Sequence, residues 1–252
     1  MNKSLIKNNF LKKIKLFKKY NKFYYEKDRP IVTDQEFDLL KKDLINLENK
    51  YQFLKSEYSP MSSVGFKPSK NFKKLRHKVP MLSLGNAFNE EDLINFEKKI
   101  INYLSLKDKS IIEYSAEPKI DGISASLTYI NGRFERGLSR GDGLEGEDIT
   151  ENLKTINDIP KKITKKNFPK EIDVRGEVFI ENDDFKNIDE KFANPRNAAS
   201  GSLRQKDSSV TKKIPLKFIA YTHGYVKSMN IDNQTDFLDS LKLWGFKTNP
   251  FN

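Results

Sequence analysis

Cysteine is absent from the 252 residues, histidine occurs twice, tryptophan once, and arginine supplies only eight of the 46 basic side chains. The missing thiols exclude a disulfide scaffold, a cysteine-based zinc site and a thiol nucleophile, and they fit a reducing compartment. No apolar run approaches the roughly 18 residues that cross a bilayer. The basic opening "MNKSLIKNNFLKKIKLFKKY" has an amphipathic period in place of the uninterrupted apolar core of a signal peptide. A cytoplasmic protein with no membrane attachment is expected. A chain of this length makes one large domain or two smaller ones, each with its own core.

The formal charge of +11 turns attention to polyanionic partners, since lysine and arginine neutralise phosphates and release counterions. Residues 1 to 30 hold ten basic and two acidic side chains, so +8 of that charge lies on one segment, and a general bias toward lysine accounts for it equally well. Arginine discriminates better. Arg133, Arg136, Arg140, Arg175, Arg196 and Arg204 all fall between positions 133 and 204, and a planar, bidentate donor suits carboxylate or phosphate. For Arg133 and Arg136, salt bridges on a sheet would serve as well.

Apolar residues at Leu5, Ile6, Phe10, Ile14, Phe17 and Tyr20 or Tyr24 predict a helix over 5–25. Thr33 and Glu36 form a capping-box pattern ahead of a second helix buried through Phe37, Leu40, Leu44 and Leu47. The two make a helical hairpin joined by "EKDRPIV". The stretch "SPMSSVGFKPSKNF" has turn chemistry and little periodicity, so a domain boundary is placed there, dividing 1–66 from 67–252. Downstream, a helix from Asn89 to Tyr103, strands from 111 and a helix over 233–244 complete an α+β chain without internal repeats.

"SASLTYINGRFERGLSR" is two strand-like runs around Asn131-Gly132, a pair that tolerates positive φ and closes a two-residue hairpin. Counted outward without a bulge, Ile130 faces Arg133, Leu127 faces Arg136 and Ile123 faces Arg140. A strand continuous through "EPKIDG" puts Glu117, Lys119, Asp121 and Ile123 on one face. Arg140 then joins Glu117, Lys119 and Asp121 in one cluster, although Pro118 and Gly122 disfavour regular pairing there. The trio reads either as a solvated, salt-bridged strand or as a lysine nucleophile or phosphate ligand beside a nucleotide. Carboxylates favour a charged ammonium, so a nucleophilic lysine here requires desolvation or a compensating cation, a second lysine or a divalent metal.

"EPKIDG" resembles the lysine-x-aspartate-glycine motif of covalent nucleotidyltransferases, which include polynucleotide ligases and RNA capping enzymes. The continuation "SRGDGLEGEDITENLKTI", "DVRGEVFI" and "FANPRNAASGSLRQ" is similar, in order and spacing, to the NAD-dependent DNA ligases of bacteria. So are the upstream "RHKVPMLSLGNAF" and the helical hairpin, and the resemblance covers nearly the whole chain. It implies an N-terminal helical subdomain over 1–66 that recognises nicotinamide mononucleotide (NMN). Over 67–252 it implies a mixed, largely antiparallel-sheet nucleotidyltransferase core, the ATP-grasp-like ligase adenylation fold. NAD and Mg²⁺ as cofactors, nicked double-stranded DNA as partner, a monomer, and a place in the bacterial cytoplasm at the nucleoid follow from the same resemblance.

The resemblance also assigns roles. Lys119 attacks the α-phosphate of NAD to form a lysine-adenylate and expel NMN; Glu117 contacts the adenine, Arg140 the nucleotide and Glu177 in "RGEV" the ribose. Ser83 and Leu84 match the adenine-side loop. Asp121 holds Lys119 or a magnesium ion that neutralises charge on the phosphate. In the hairpin, Tyr24, Tyr25, Asp34, Phe37 and Asp38, with Gln35 and Glu36 among them, match the residues that close over the NMN half. Tyr25 stands where histidine is usual and Phe37 lacks the family's hydroxyl, so one titratable donor and one hydrogen bond are lost.

In "NPRNAASGSLRQ", Asn194 can cap a helix and Pro195 suits its first turn. Arg196 and Arg204 on such a helix lie roughly 80° apart, with Ala198, Ala199, Ser200 and Gly201 allowing close approach between them. This surface is expected to meet the DNA phosphates flanking a nick; a helix packed on the sheet is the alternative. The family's domain continues past an element like "WGFKTNPFN" into an aspartate-glycine-valine-valine-isoleucine-lysine strand, and its later modules include a zinc-binding one. The chain is therefore expected to be an N-terminal fragment, impaired by lack of that lysine. A noncatalytic nucleotide- or DNA-binding remnant is the alternative, and an ATP- or GTP-using nucleotidyltransferase is a third that leaves the hairpin unexplained.

Overall fold

The computed structural model describes residues 3–25, 31–55, 72–107, 111–188, 192–229 and 231–251. The two expected N-terminal helices are α1 (Lys3–Tyr25) and α2 (Asp34–Lys50). Thr33 Oγ1 accepts from the Glu36 N–H at 3.2 Å, and the Glu36 carboxylate accepts from the Thr33 N–H at 2.8 Å, so the capping box is reciprocal. Phe10, Ile14 and Phe17 of α1 are buried against Phe37 and Leu44 of α2, with Leu54 added from a 3₁₀ turn over Gln52–Leu54. Phe17 and Phe37 stack with ring centroids 5.1 Å apart. Each such side chain withdrawn from water contributes about 1.5–3 kcal/mol. The boundary placed after residue 66 lies outside the described residues.

Farther along run β1 (Lys74–Arg76), α3 (Glu90–Leu104), β2 (Ile123–Ile130), β3 (Arg133–Ser139), β4 (Glu145–Glu147), α4 (Thr150–Leu153) and β5 (Glu171–Phe179). They are followed by α5 (Asn182–Phe185), α6 (Pro195–Leu203), α7 (Ser208–Thr211), β6 (Lys217–Lys227) and α8 (Gln234–Leu243). One antiparallel sheet has the order β3-β2-β5-β6, and β1 pairs separately with β4. Strand alternation sends Ala125, Leu127, Tyr129, Ile172, Val174 and Val178 into a core shared with Ala198, Ala199 and Leu203 of α6 and Phe237, Leu238 and Leu241 of α8. The alternate positions Ser124, Ser126, Thr128, Asp173, Arg175 and Glu177 give the sheet a polar second face. Asn89 and Asn233 cap α3 and α8 through their side chains, close to the predicted starts.

Two strand expectations need correction. Residues 111–121 carry no regular secondary structure, and the ladder begins at Ile123; Pro118 has no N–H to contribute to one. The Asn131-Gly132 turn forms, with φ of 49° and 75°, but the register counted from it fails. Tyr129 pairs with Phe134 and Thr128 with Arg136, which leaves Glu135 as the extra residue of a bulge. Leu127 consequently faces Gly137. Carried one step beyond the Ala125–Ser139 pair, the ladder brings Arg140 level with Ser124 and not with Ile123.

Candidate active site

The polar face converges on Glu177. Ser124 and Glu177 are partners in the β2–β5 ladder, and Ser124 Oγ donates to Glu177 Oε2 at 2.9 Å. The residue is 7% exposed. Burial pushes its pKa above the ordinary carboxylate value, while the Ser124 bond and the charges of Arg196, Lys119 and Arg140 act in the opposite direction. Tyr221 of β6 completes the group. Burial, then the Glu177 charge, raises the pKa of its phenol, while Ser124, Arg175 and Arg140 act in the opposite direction.

Lys119 is exposed within the irregular segment. Its neighbours are tied down. Glu117 accepts from Gln234 Nε2 at 2.7 Å, and that amide also donates to the Tyr221 carbonyl at 2.7 Å. Asp121 accepts from Arg196 Nη1 at 2.9 Å, and the Pro118 carbonyl accepts from Asn249 at 3.3 Å. At Gly122 the chain passes so close to β5 that a Cβ would lie 2.3 Å from the Val178 carbonyl oxygen and 2.8 Å from Glu177 Cγ. The segment is thus fixed on both sides of an accessible ammonium, an arrangement that can present a lysine to a phosphate held near Glu177.

Residues 77–81 strap this face. Arg175, itself buried, donates through Nη1 to the Pro80 carbonyl at 3.2 Å and through Nη2 to the Val79 carbonyl. Its guanidinium lies close over Gly224, where a Cβ would come within 2.8 Å of Nη2. Lys78 pairs with Glu171 and sits 4.6 Å from the Tyr225 ring centroid. His77 is buried with Nε2 3.1 Å from the Arg140 carbonyl, and burial holds its pKa below the ordinary 6.5. The neutral ring donates that bond. Beyond the strap, Ser83 and Leu84 are exposed, and Asn86 donates to Asp38 Oδ2 at 2.7 Å. Lys42 of α2 reaches Asp92 of α3 at 3.3 Å, so the loop through Asn86 and the start of α3 both contact α2.

Residues 69–251 match the model of the NAD-dependent DNA ligase adenylation domain. The chain belongs to this family. Residues 6–65 match the DNA ligase-like, N-terminal NAD⁺-binding domain. The DNA ligase of Pelagibacter ubique (strain HTCC1062) is 76% identical over 252 residues, all of this chain and 37% of that protein. The DNA ligase of Parvibaculum lavamentivorans is 47% identical over 240 residues, 92% of this chain and 34% of that protein. The chain spans about a third of the length of these curated relatives.

In this ligase-family chain Lys119, Arg140 and Arg196 act together on Glu177, and Glu117 and Asp121 flank Lys119. Asp121 is engaged by Arg196, and among the described residues no three histidine, aspartate or glutamate side chains converge as metal ligands. The described residues therefore make no protein cage for Mg²⁺. On α2, Gln35 is exposed, Glu36 is engaged in the cap, Phe37 is buried on Phe17, and Asp38 meets Asn86. The side chains of Tyr24, Tyr25 and Asp34 lie outside the described residues.

The helix carrying Arg196 ends at Leu203, so the helical angle expected between Arg196 and Arg204 does not apply. Arg204 places Nε 3.4 Å from Glu147 Oε2. The small residues between them pack inward: Ala198 and Ala199 are wholly buried, and a Cβ on Gly201 would meet Phe192 at 2.8 Å. Sequence reasoning missed Ser124, Tyr221, Gln234 and Arg175 as parts of this site. The Ser124, Ser126, Thr128 alternation signals the polar face of β2, whereas Tyr221 and Gln234 arrive by long-range pairing that no local pattern announces.

Proposed function

We propose that the chain is the adenylating part of a bacterial NAD-dependent DNA ligase, serving strand joining in replication and repair. In this reading residues 1–66 recognise the NMN half of NAD, and 67–252 form an ATP-grasp-like nucleotidyltransferase core. The observation that carries it is the buried Glu177 carboxylate beside "EPKIDG", held by Ser124 at 2.9 Å and within electrostatic reach of Arg196, Lys119 and Arg140. A ribose hydroxyl donates to Glu177, the adenine lies against Glu117 and the Ser83-Leu84 loop, and Arg140 faces the nucleotide.

Lys119 Nζ, once it has released a proton, attacks the α-phosphorus of NAD. A P–N bond forms, the P–O bond to the leaving group breaks, and NMN departs with the electron pair. The AMP is then passed to the 5′-phosphate at a DNA nick, where the 3′-hydroxyl displaces it; these later steps belong to the longer protein. Magnesium, which the family implies, has no protein cage among the described residues, and no step is assigned to it. The protein acts as a monomer in the cytoplasm.

Intact-mass measurement after incubation with Mg²⁺ and either NAD or ATP tests the reading. The samples are the 252-residue chain and a form extended by the C-terminal part that its relatives carry. One added adenylate from NAD only, lost in Lys119→Ala, is expected on the extended form. Binding of nucleotide without any adduct on either form would leave a noncatalytic nucleotide-binding segment.

A further inference from the structure

The Glu177 carboxylate has two oxygens, and a hydrogen bond is described at one of them. Oε2 accepts from Ser124 Oγ at 2.9 Å. That bond commits the serine proton to the carboxylate, so Ser124 is a neutral donor fixed on Glu177. Its position follows from strand register, because Ser124 is the ladder partner of Glu177 on one side and the bulge brings Arg140 level with it on the other. Tyr221 arrives from β6, two strands away from β2.

We propose that Ser124 is a positioning residue for nucleotide capture: its bond to Oε2 fixes the Glu177 carboxylate so that Oε1 accepts from a ribose hydroxyl. The inference rests on the reading of Glu177 as the ribose contact. A carboxylate that is nearly withdrawn from water gains from each fixed donor twice over. The donor holds the rotamer, and it keeps the group ionised and so an acceptor only. The groups that face this carboxylate are Ser124 of β2, Arg140 beyond β3, Lys119 of the irregular segment, Arg196 of α6 and Tyr221 of β6. Among them Ser124 is the neutral donor bonded to it, and its loss leaves the cations in place.

The test is calorimetric titration of the chain with AMP and with 2′,3′-dideoxy-AMP across a pH series, using the wild type, Ser124→Ala and Ser124→Thr. Ser124→Ala is expected to weaken AMP binding about tenfold, the effect of one hydrogen bond to a charged group. The acid limb of binding moves to higher pH, because a carboxyl stripped of its donor takes up a proton more readily. Affinity for 2′,3′-dideoxy-AMP stays unchanged, which also shows the variant to be folded, and Ser124→Thr restores AMP binding. Equal weakening for both ligands, or no weakening for AMP and no pH shift, overturns the inference. A wild type that binds both ligands equally removes the Glu177 reading itself and the inference with it.

Discussion

Thr128 pairs with Arg136, one residue out of the register that the Asn131-Gly132 turn would impose by itself. The displacement has two consequences. Without it Arg136 would stand opposite Leu127, which is wholly buried in the core, and Arg140 would stand opposite Ile123 in place of Ser124. The bulge at Glu135 thus keeps a guanidinium off the core face and delivers another to the site.

Deleting Glu135 should therefore preserve the pairing. With the extra residue gone, Arg136 follows Phe134 directly and still stands opposite Thr128, so each side chain beyond it keeps its face of the sheet. Glu135→Ala keeps the bulge and should change stability by less than about 0.5 kcal/mol. Urea unfolding of the two variants checks this, and a deletion that costs about 3 kcal/mol or more would mean that the strand had slipped and carried Arg136 to the core face.

Gly122→Ala should disable the site from the backbone. The added methyl would lie 2.3 Å from the Val178 carbonyl oxygen and 2.8 Å from Glu177 Cγ, so either the 117–122 segment or β5 must shift. The expected cost is about 1–3 kcal/mol of stability, the usual range for overpacking. AMP affinity should fall as well, since Glu177 is pushed directly. A denaturation curve and a titration on the same sample measure both, and wild-type values for the pair would show that the close approach is easily relieved.

These two sites also show what could be read from residues alone. The helices, the capping box and the hairpin turn depend on local chemistry, and they were legible. The bulge was not, because Glu135 fits a regular strand as well as a bulged one and only packing of Leu127 and Arg136 decides between them. The same holds for Gln234, which reaches Glu117 from 117 positions away in sequence. Arg175 stood in the arginine cluster, but its acceptors are the backbone carbonyls of Val79 and Pro80, groups every residue possesses.

Stability should decline as the pH falls below about 6.5, partly through His77. Burial depresses its folded pKa below the ordinary 6.5, so the unfolded chain takes up a proton first. The contribution is fully present above 6.5 and is lost as the pH drops toward the folded value, with a limiting slope of about 1.4 kcal/mol per pH unit. His77→Gln retains a donor for the Arg140 carbonyl and removes the titration. Unfolding free energies of wild type and variant, measured from pH 8 to pH 5, should diverge as the pH falls and meet near pH 8. Parallel curves would mean that His77 is protonated without penalty.

Arg196 and Arg204 are now held by carboxylates from two separate segments, Asp121 at 2.9 Å and Glu147 at 3.4 Å. Their proposed encounter with DNA phosphates is an exchange of one anion for another. Arg196 is the more consequential of the two, since its charge also acts on Glu177. For the chain titrated with a nicked duplex over a salt series, Arg196→Ala and Arg204→Ala should each weaken binding. Each should also flatten the plot of log affinity against log salt by about 0.9, one released phosphate contact. A control separates this from loss of the internal pairs. Asp121→Asn and Glu147→Gln release the same guanidinium groups without removing them, so they should leave DNA affinity unchanged or strengthen it. If the arginine variants keep the wild-type affinity and slope, the two residues are structural clamps and the DNA surface lies elsewhere.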